Sequence, residues 1–181
     1  DCSGRIGLVF DRVTGSSGME RLTLDPAAVR SSARELAELH LKLHEIRSPA
    51  GLPRQADLLR SRVAGNERLT RAQRDRLMAL LASMPGEETL CHGDFHPGNI
   101  LHTARGPVII DWMDASSGWA MADAARTSLL SRGHIETSEA APEVRDAMIR
   151  YHGFYVERYL EMAKADAAGL GRWFPIMAAA R

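Results

Sequence analysis

Residues 92–99, with the sequence HGDFHPGN, constrain this 181-residue chain more than any other segment. Short segments at 89–91 and 100–102 flank it on either side. A turn follows at 105–107, and after it the β-branched run 108–110 ends at Asp111. Pro97 fixes one backbone angle and Gly98 permits unusual ones, so the chain can turn sharply here. The pattern predicts a loop, a hairpin-like turn and a strand that delivers a carboxylate.

Four side chains in this region have the order and spacing of a phosphoryl-transfer site. His92, Asp94 and Asn99 follow the pattern H-x-D-x-x-x-x-N of the protein-kinase catalytic loop, and Asp111 occupies the place of a second, metal-holding Asp. Phosphoryl transfer depends on positioning and on neutralising charge at the phosphate oxygens, which Mg²⁺ supplies. Because Mg²⁺ prefers hard oxygen ligands, Asn99 and Asp111 are candidate ligands, and Asp94 is the candidate base or orienter of a hydroxyl.

These motifs resemble those of the aminoglycoside phosphotransferase and choline kinase-like family, whose bilobal fold is similar to that of the protein kinases. The resemblance is carried by HGDFHPGNIL at 92–101, VIIDW at 108–112 and GWAMADAAR at 118–126, and it extends less specifically over residues 7–181. It implies that Asp94 is the catalytic Asp, that Asn99 and Asp111 bind Mg²⁺, and that His92 and Asp123 support the catalytic loop. It also implies ATP or GTP as phosphate donor and a small-molecule hydroxyl, such as that of an aminoglycoside, choline or homoserine, as acceptor.

The predicted fold is α+β and mainly helical: the large carboxy-terminal lobe of a protein kinase-like fold, with a short hinge strand and a small β-hairpin at the catalytic loop. A Gly-rich loop and a strand lysine are not found, since the only lysines, Lys42 and Lys164, lie in helix-like patterns. We therefore expect the nucleotide-covering lobe to be absent from these 181 residues. We assign 1–18 to the hinge strand and loop and 19–181 to the helical lobe, in which 90–101 is the catalytic loop, 107–114 the metal-binding strand and 120–181 the acceptor-side helices.

Residues 5–13 are rich in apolar side chains and predict the hinge strand, and 14–18 predict a turn or flexible loop. By resemblance, the Asp11 carbonyl and the Val13 amide would hold the adenine. Apolar periodicity and capping residues predict helices over 26–47, part of 52–66, 70–85, 121–131 and 142–168, and the start of another at 172–181.

Composition excludes several classes of partner. The formal net charge is zero, so no overall field attracts nucleic acid or an anionic membrane. Two cysteines provide neither a disulfide framework nor a metal knuckle, and no apolar run is long enough to span a bilayer. We expect a cytoplasmic protein.

Two other functions compete at this stage. His92, Asp94 and His96 could ligate zinc in a metal-dependent hydrolase, with Asp111 or His102 completing the site, although Asn99 would then be unused. Alternatively, an isolated lobe could be inactive and bind a ligand or partner, for example as a homodimer that covers the surface left by the missing lobe.

Several other polar and aromatic residues are better explained as structural. We expect packing or local hydrogen bonding for His40 and His44, and loop shaping for His96 and His102. The three tryptophans are expected to bury their rings, and the acidic residues of 136–166 to lie on solvated helix faces. Asp114 is equally consistent with a second metal ligand and with a turn or cap residue.

Overall fold

The computed structural model describes residues 11–21, 25–47 and 49–181. Most of the predicted hinge strand, residues 5–10, lies outside the described residues. In chain order the elements are β1 (Ser16–Ser17), α1 (Pro26–His44), α2 (Gln55–Gly65), α3 (Arg71–Ala82), β2 (Thr89–Cys91), β3 (Ile100–Thr103), β4 (Gly106–Ile109), β5 (Ser116–Gly118), α4 (Ala120–Thr137), α5 (Pro142–Ala163), α6 (Ala167–Gly171) and α7 (Phe174–Ala179). The predicted α+β, mainly helical fold class is confirmed.

Capping residues set the helix starts much as the sequence predicts. The Asp25 carboxylate accepts a hydrogen bond from the Ala28 amide, 3.0 Å away, and Thr70 and Gln73 form a reciprocal capping box at α3. The prediction of one helix over 142–168 is wrong. Lys164 adopts a left-handed conformation with φ of 52° that ends α5, and the Asp166 side chain then caps the short α6.

The core lies between α1 and α5, joined by α4 and α7. The inner face of α1 buries Val29, Ala33 and Leu36 against α5, whose Tyr155 and Tyr159 are also buried. Complete burial of a side chain such as that of Val29 or Leu36 stabilises the fold by roughly 1.5–3 kcal/mol. No helix in the described ranges combines the length and apolar character needed to cross a bilayer.

Two small antiparallel sheets hold the loop between them. One has the order β1-β3-β4, and the other pairs β2 with β5, so that Thr89 lies opposite Gly118. The predicted hairpin is present, but its second strand begins at Gly106 and ends at Ile109. The prediction of a turn or flexible loop over 14–18 is wrong at Ser16 and Ser17, because these two residues pair with β3. Gly18 also donates its amide to the Ile100 carbonyl at 2.9 Å.

Candidate active site

The catalytic loop connects β2 to β3 and closes with a single 3-10 turn, Pro97–Asn99. The His96 ring fixes this turn because its Nδ1 accepts a hydrogen bond from the Gly98 amide at 3.0 Å. Its Nε2 lies 3.5 Å from an Asp94 carboxylate oxygen. His96 therefore shapes the loop and also contributes to the surroundings of Asp94.

Asp94 and Asn99 are brought into direct contact. The Asn99 side-chain amide donates to the Asp94 carbonyl at 2.9 Å and to the Asp94 carboxylate at 3.3 Å. Because the nitrogen of the amide faces Asp94, its oxygen is available as an acceptor elsewhere. The Asp94 side chain is 35% exposed, so a solute can reach its carboxylate.

His92 connects the catalytic loop to the end of β4. Its Nε2 donates to the Ile110 carbonyl at 3.0 Å, and its Nδ1 accepts from the Asp94 amide at 3.2 Å. The ring is fully buried and tilts against Trp112, with 4.8 Å between the ring centroids. Since both nitrogens are engaged, His92 has no lone pair left for a metal, which argues against the hydrolase built on His92, Asp94 and His96.

The hairpin places Asn99 and Asp111 at the same end. In its register Ile100 lies opposite Ile109, and the Ile110 amide donates to the Asn99 carbonyl at 2.9 Å. Asp111, the next residue, is exposed and has φ of 63°. A left-handed conformation is uncommon outside glycine and costs of order 1–3 kcal/mol, and such residues cluster at functional sites. The backbone thus turns abruptly at the predicted metal ligand.

Asp123, near the start of α4, holds the catalytic loop from behind. Its carboxylate accepts the His92 amide at 2.7 Å and the Gly93 amide at 2.8 Å. It also accepts from Nε2 of His40 at 3.1 Å and of His44 at 3.3 Å, and its side chain is fully buried. Four donors on one carboxylate give both of its buried oxygens a hydrogen-bond partner.

The same contacts determine the charge of this cluster. Burial alone would raise the pKa of Asp123, but the hydrogen bonds from His40 and His44 outweigh it and hold that pKa well below its usual range. Burial, and next the neighbouring His44, lower the pKa of His40 from 6.5 to about 4. At neutral pH Asp123 is therefore ionised and His40 is neutral, with its proton on the nitrogen that faces the carboxylate.

Two tyrosines of α5 complete the network. The Tyr155 hydroxyl lies 2.8 Å from Nδ1 of His40, and the Tyr159 hydroxyl lies 2.8 Å from Nδ1 of His44. Burial raises the pKa of both tyrosines, which keeps the hydroxyls protonated. A continuous path of hydrogen bonds therefore links α5 through α1 and Asp123 to the backbone of the catalytic loop.

Packing or local hydrogen bonding was expected for His40 and His44, and both rings are buried, but their hydrogen bonds are to distant residues. Their partners stand 79 to 115 residues away along the chain. One signal was available in the sequence: two histidines four residues apart on a helix stripe that is otherwise apolar. Because a buried imidazole needs hydrogen-bond partners for both nitrogens, this pattern indicates polar partners elsewhere in the chain.

Among residues 11–21, 25–47 and 49–181, one group of three or more His, Cys, Asp or Glu side chains is close enough together to share an ion, and it consists of His40, His44 and Asp123. Their candidate ligand atoms lie within 4.8 Å of one another. Since every one of those nitrogens and oxygens already has a protein partner, we assign the group a structural role.

Gly93 and Asp114 pack against each other beside the loop. Gly93 has φ of 82°, and a Cβ at this position would lie 2.5 Å from the Asp114 carbonyl oxygen. Arg126 donates to the Gly93 carbonyl and, at 2.9 Å, to the Asp114 carboxylate, which Arg62 contacts at 3.2 Å. Asp114 was equally consistent with a second metal ligand and with a turn or cap residue, and its ion pairs with Arg62 and Arg126 favour a structural role.

The remaining predicted residues are placed as follows. Asp11 and Val13, the proposed adenine contacts, are exposed and lie outside regular secondary structure. Trp119 and Trp173 pack together in the core with 4.9 Å between ring centroids, whereas Trp112 is 40% exposed.

An open cavity of about 650 Å³ lies beside the Asp94 carboxylate. We call it the acceptor-side cavity. Its walls come from the C-terminal part of α4, the N-terminal half of α5, the start of α1 and the loop at 94–97. Its size is typical of a small-molecule site.

Comparison with known proteins gives the following similarities. The model of the phosphotransferase enzyme family matches residues 3–163, and a search of curated proteins found no significant match. Among solved structures, an aminoglycoside-3'-phosphotransferase of type VIII is 21% identical, with a TM-score of 0.55, over 94% of this chain and 67% of that one. A glucosamine kinase is 20% identical, with a TM-score of 0.48, over 90% of this chain and 49% of that one. A choline kinase from Streptococcus pneumoniae is 17% identical, with a TM-score of 0.43, over 88% of this chain and 66% of that one.

The first of these similarities shows a shared fold, which confirms the predicted kinase-like architecture. The chain spans about half of the length of the glucosamine kinase and about two thirds of the other two structures.

Proposed function

The chain belongs to the phosphotransferase enzyme family, as its motifs predicted, and on that premise we propose that it transfers the γ-phosphate of ATP or GTP to a hydroxyl of a small molecule. The observation that carries this proposal is the joint placement of Asp94, Asn99 and Asp111 around one end of the catalytic hairpin. A half-exposed carboxylate at the mouth of a cavity is suited to receive a hydroxyl group.

Asp94 would act on the acceptor. Its carboxylate would accept the hydroxyl proton and orient the oxygen for attack on the terminal phosphate. Asn99 contacts this carboxylate through the hydrogen bond at 3.3 Å and the Asp94 backbone carbonyl through the one at 2.9 Å, and the His92 ring fixes the Asp94 backbone amide. Positioning of this kind accounts for much of the catalysis in phosphoryl transfer, where the protein does little covalent chemistry.

Asn99 and Asp111 fit a magnesium ion. The Asn99 amide oxygen is available because its nitrogen faces Asp94, and the Asp111 carboxylate is exposed at the same end of the hairpin. Both are hard oxygen donors, which Mg²⁺ prefers over imidazole. When bound, the ion would neutralise negative charge that develops on the phosphate oxygens.

The nucleotide base would be held by the chain before α1. The proposed contacts are the backbone carbonyl of Asp11 and the backbone amide of Val13, both of which are exposed and therefore accessible to a ligand. Contacts made by the backbone leave no side-chain signature in the sequence, so ATP and GTP are both candidate donors.

The direct test of the proposal is phosphate transfer by the protein and by its Asp94→Asn variant. The amide keeps the size of the side chain but cannot accept the proton, so we expect the turnover rate to fall by about 10²–10⁴-fold. Nucleotide binding and the circular dichroism spectrum should stay unchanged.

Asp146→Asn is the matched control, since Asp146 is an exposed carboxylate on α5. It should transfer phosphate at the unaltered rate. Full activity of Asp94→Asn would contradict the role given to Asp94, and absence of transfer to any hydroxyl acceptor would contradict the proposed function.

A further inference from the structure

The acceptor-side cavity is bordered on one side by the catalytic loop and on the other by two helices. Asp94 and His96 contribute from the loop. The helical wall is largely apolar, and it is formed by Leu130 and Ile135 of α4 together with Val144, Ala147 and Met148 of α5. A ligand whose hydroxyl reaches Asp94 must therefore lie with its body against aliphatic side chains.

Charge is confined to one end of this cavity. Among the described residues that line it, Asp94 is the only carboxylate, and none is Lys or Arg. The acidic residues that α5 does carry, such as Glu143, Asp146 and Glu157, are exposed and are not part of the lining. A polycation in the cavity would leave most of its charges without partners, and burial of unpaired charge is strongly unfavourable.

Three polar side chains of the wall, those of Ser131, Tyr151 and His152, are engaged in hydrogen bonds. His152 shares a hydrogen bond of 2.7 Å with Ser128, and burial lowers its pKa, so the ring is neutral at neutral pH. The Ser131 hydroxyl donates to the Thr127 carbonyl at 2.9 Å, and the Tyr151 hydroxyl donates to the Ser32 carbonyl at 3.3 Å. These groups add little that would bind a charged ligand.

Resting on the proposed function, we infer that the acceptor is an uncharged alcohol with a bulky apolar body rather than a polycation. Its hydroxyl would reach Asp94, and its body would pack against the aliphatic wall formed by α4 and α5. A volume of about 650 Å³ admits one molecule of ordinary ligand size. The apolar surface of that molecule would provide most of the binding free energy.

A matched pair of alcohols tests this inference without any nucleotide. The neutral probe is para-cyclohexylcyclohexanol, and the cationic probe is the same molecule with a protonated piperidine nitrogen in the distal ring. Calorimetric titration of the purified protein should show the neutral probe binding at least about tenfold more tightly. Equal or tighter binding of the cationic probe, or no binding of the neutral probe, would overturn the inference.

A variant of the aliphatic wall should reverse this preference. Met148→Glu places a carboxylate in the cavity, so we expect affinity for the neutral probe to fall and affinity for the cationic probe to rise, each by about tenfold. Ile149→Glu is the matched control, because Ile149 neighbours Met148 but is 51% exposed and does not line the cavity. It should leave both affinities unchanged. If Met148→Glu does not fold, Val144→Glu offers the same test at a lining residue that is 37% exposed.

Failure of the inference and failure of the proposed function give different results. If the neutral probe binds but receives no phosphate from ATP or GTP, as judged by phosphorus NMR, the proposed function is contradicted and the ligand class stands. If the cationic probe is phosphorylated and the neutral probe neither binds nor reacts, the inference is overturned and the proposed function stands.

Discussion

Replacement of Asp123 by Asn should destabilise the protein by about 3–5 kcal/mol, because a buried carboxylate that accepts four hydrogen bonds becomes a neutral group with one accepting oxygen. The carboxylate oxygen Oδ2 accepts from His92, His40 and His44, and Oδ1 accepts from Gly93. An amide has one accepting oxygen, so its least costly orientation keeps the first three contacts and turns a donor towards the Gly93 amide.

The magnitude follows from these contacts. Loss of one hydrogen bond to a charged acceptor costs about 1.5–3 kcal/mol, and the donor left behind is buried. The three contacts that remain lose the charge of the acceptor, which roughly halves the strength of such a bond. Folded domains are stable by roughly 5–15 kcal/mol, so the predicted destabilisation is a large fraction of the total.

Urea unfolding at neutral pH, followed by circular dichroism, measures this difference. Asp146→Asn removes an exposed carboxylate and should change the free energy of unfolding by no more than about 0.5 kcal/mol. Hydrogen exchange supplies the local measurement, because the Gly93 amide loses its acceptor and the His92 amide keeps only an uncharged one, so both should exchange faster than the core of α1. A change in unfolding free energy below about 1 kcal/mol, with unaltered exchange at these two amides, would refute the role given to Asp123.

Three further predictions concern stability. Gly93→Ala should cost at least about 2 kcal/mol, because the residue has positive φ and a Cβ would contact the Asp114 backbone; a urea midpoint equal to that of the parent would contradict this. Thr70→Ala should cost about 1 kcal/mol through loss of the capping box, measured in the same assay, and should leave phosphate transfer unaltered. Between pH 6.5 and about 4 stability should fall on acidification by a total of about 3 kcal/mol, because the unfolded chain protonates His40 there and the folded chain does not. Equal urea midpoints at pH 7 and about pH 4.5 would contradict the lowered pKa of His40.

The features predicted correctly from the sequence depend on neighbours in the chain. Thr70 and Gln73 are three residues apart, and Pro26 follows its capping Asp25, so local pattern is sufficient to place these helix starts. The hairpin that presents Asn99 and Asp111 was predicted for the same reason, since its two strands are joined by a short turn.

Features that depend on distant contacts were not predicted. Ser16 and Ser17 form a strand only because β3 offers them an edge to pair with, and nothing in their composition favours a strand. His40 and His44 acquire their role from Asp123 and from the tyrosines of α5, which only the tertiary packing of α1 brings near.

The lining of the acceptor-side cavity could also not be predicted from local sequence patterns. The acidic residues of α5 lie on solvated faces as expected, with Glu143 and Asp146 exposed, but the sequence does not indicate that Ala147 and Met148 line the cavity. Which face of a helix meets the catalytic loop is decided by packing against α1, and helical periodicity alone does not determine that orientation.

The central claim is that Asp94, Asn99 and Asp111 act together in a transfer assisted by a metal ion, and the magnesium dependence of phosphate transfer tests it most directly. We predict that the protein transfers phosphate only with magnesium present, and that Asp111→Asn raises the magnesium concentration for half-maximal rate by about tenfold or more, because a charged ligand is lost. The control Asp146→Asn should keep the magnesium dependence of the parent. Transfer without a divalent ion, or an identical magnesium dependence in Asp111→Asn, would contradict the account.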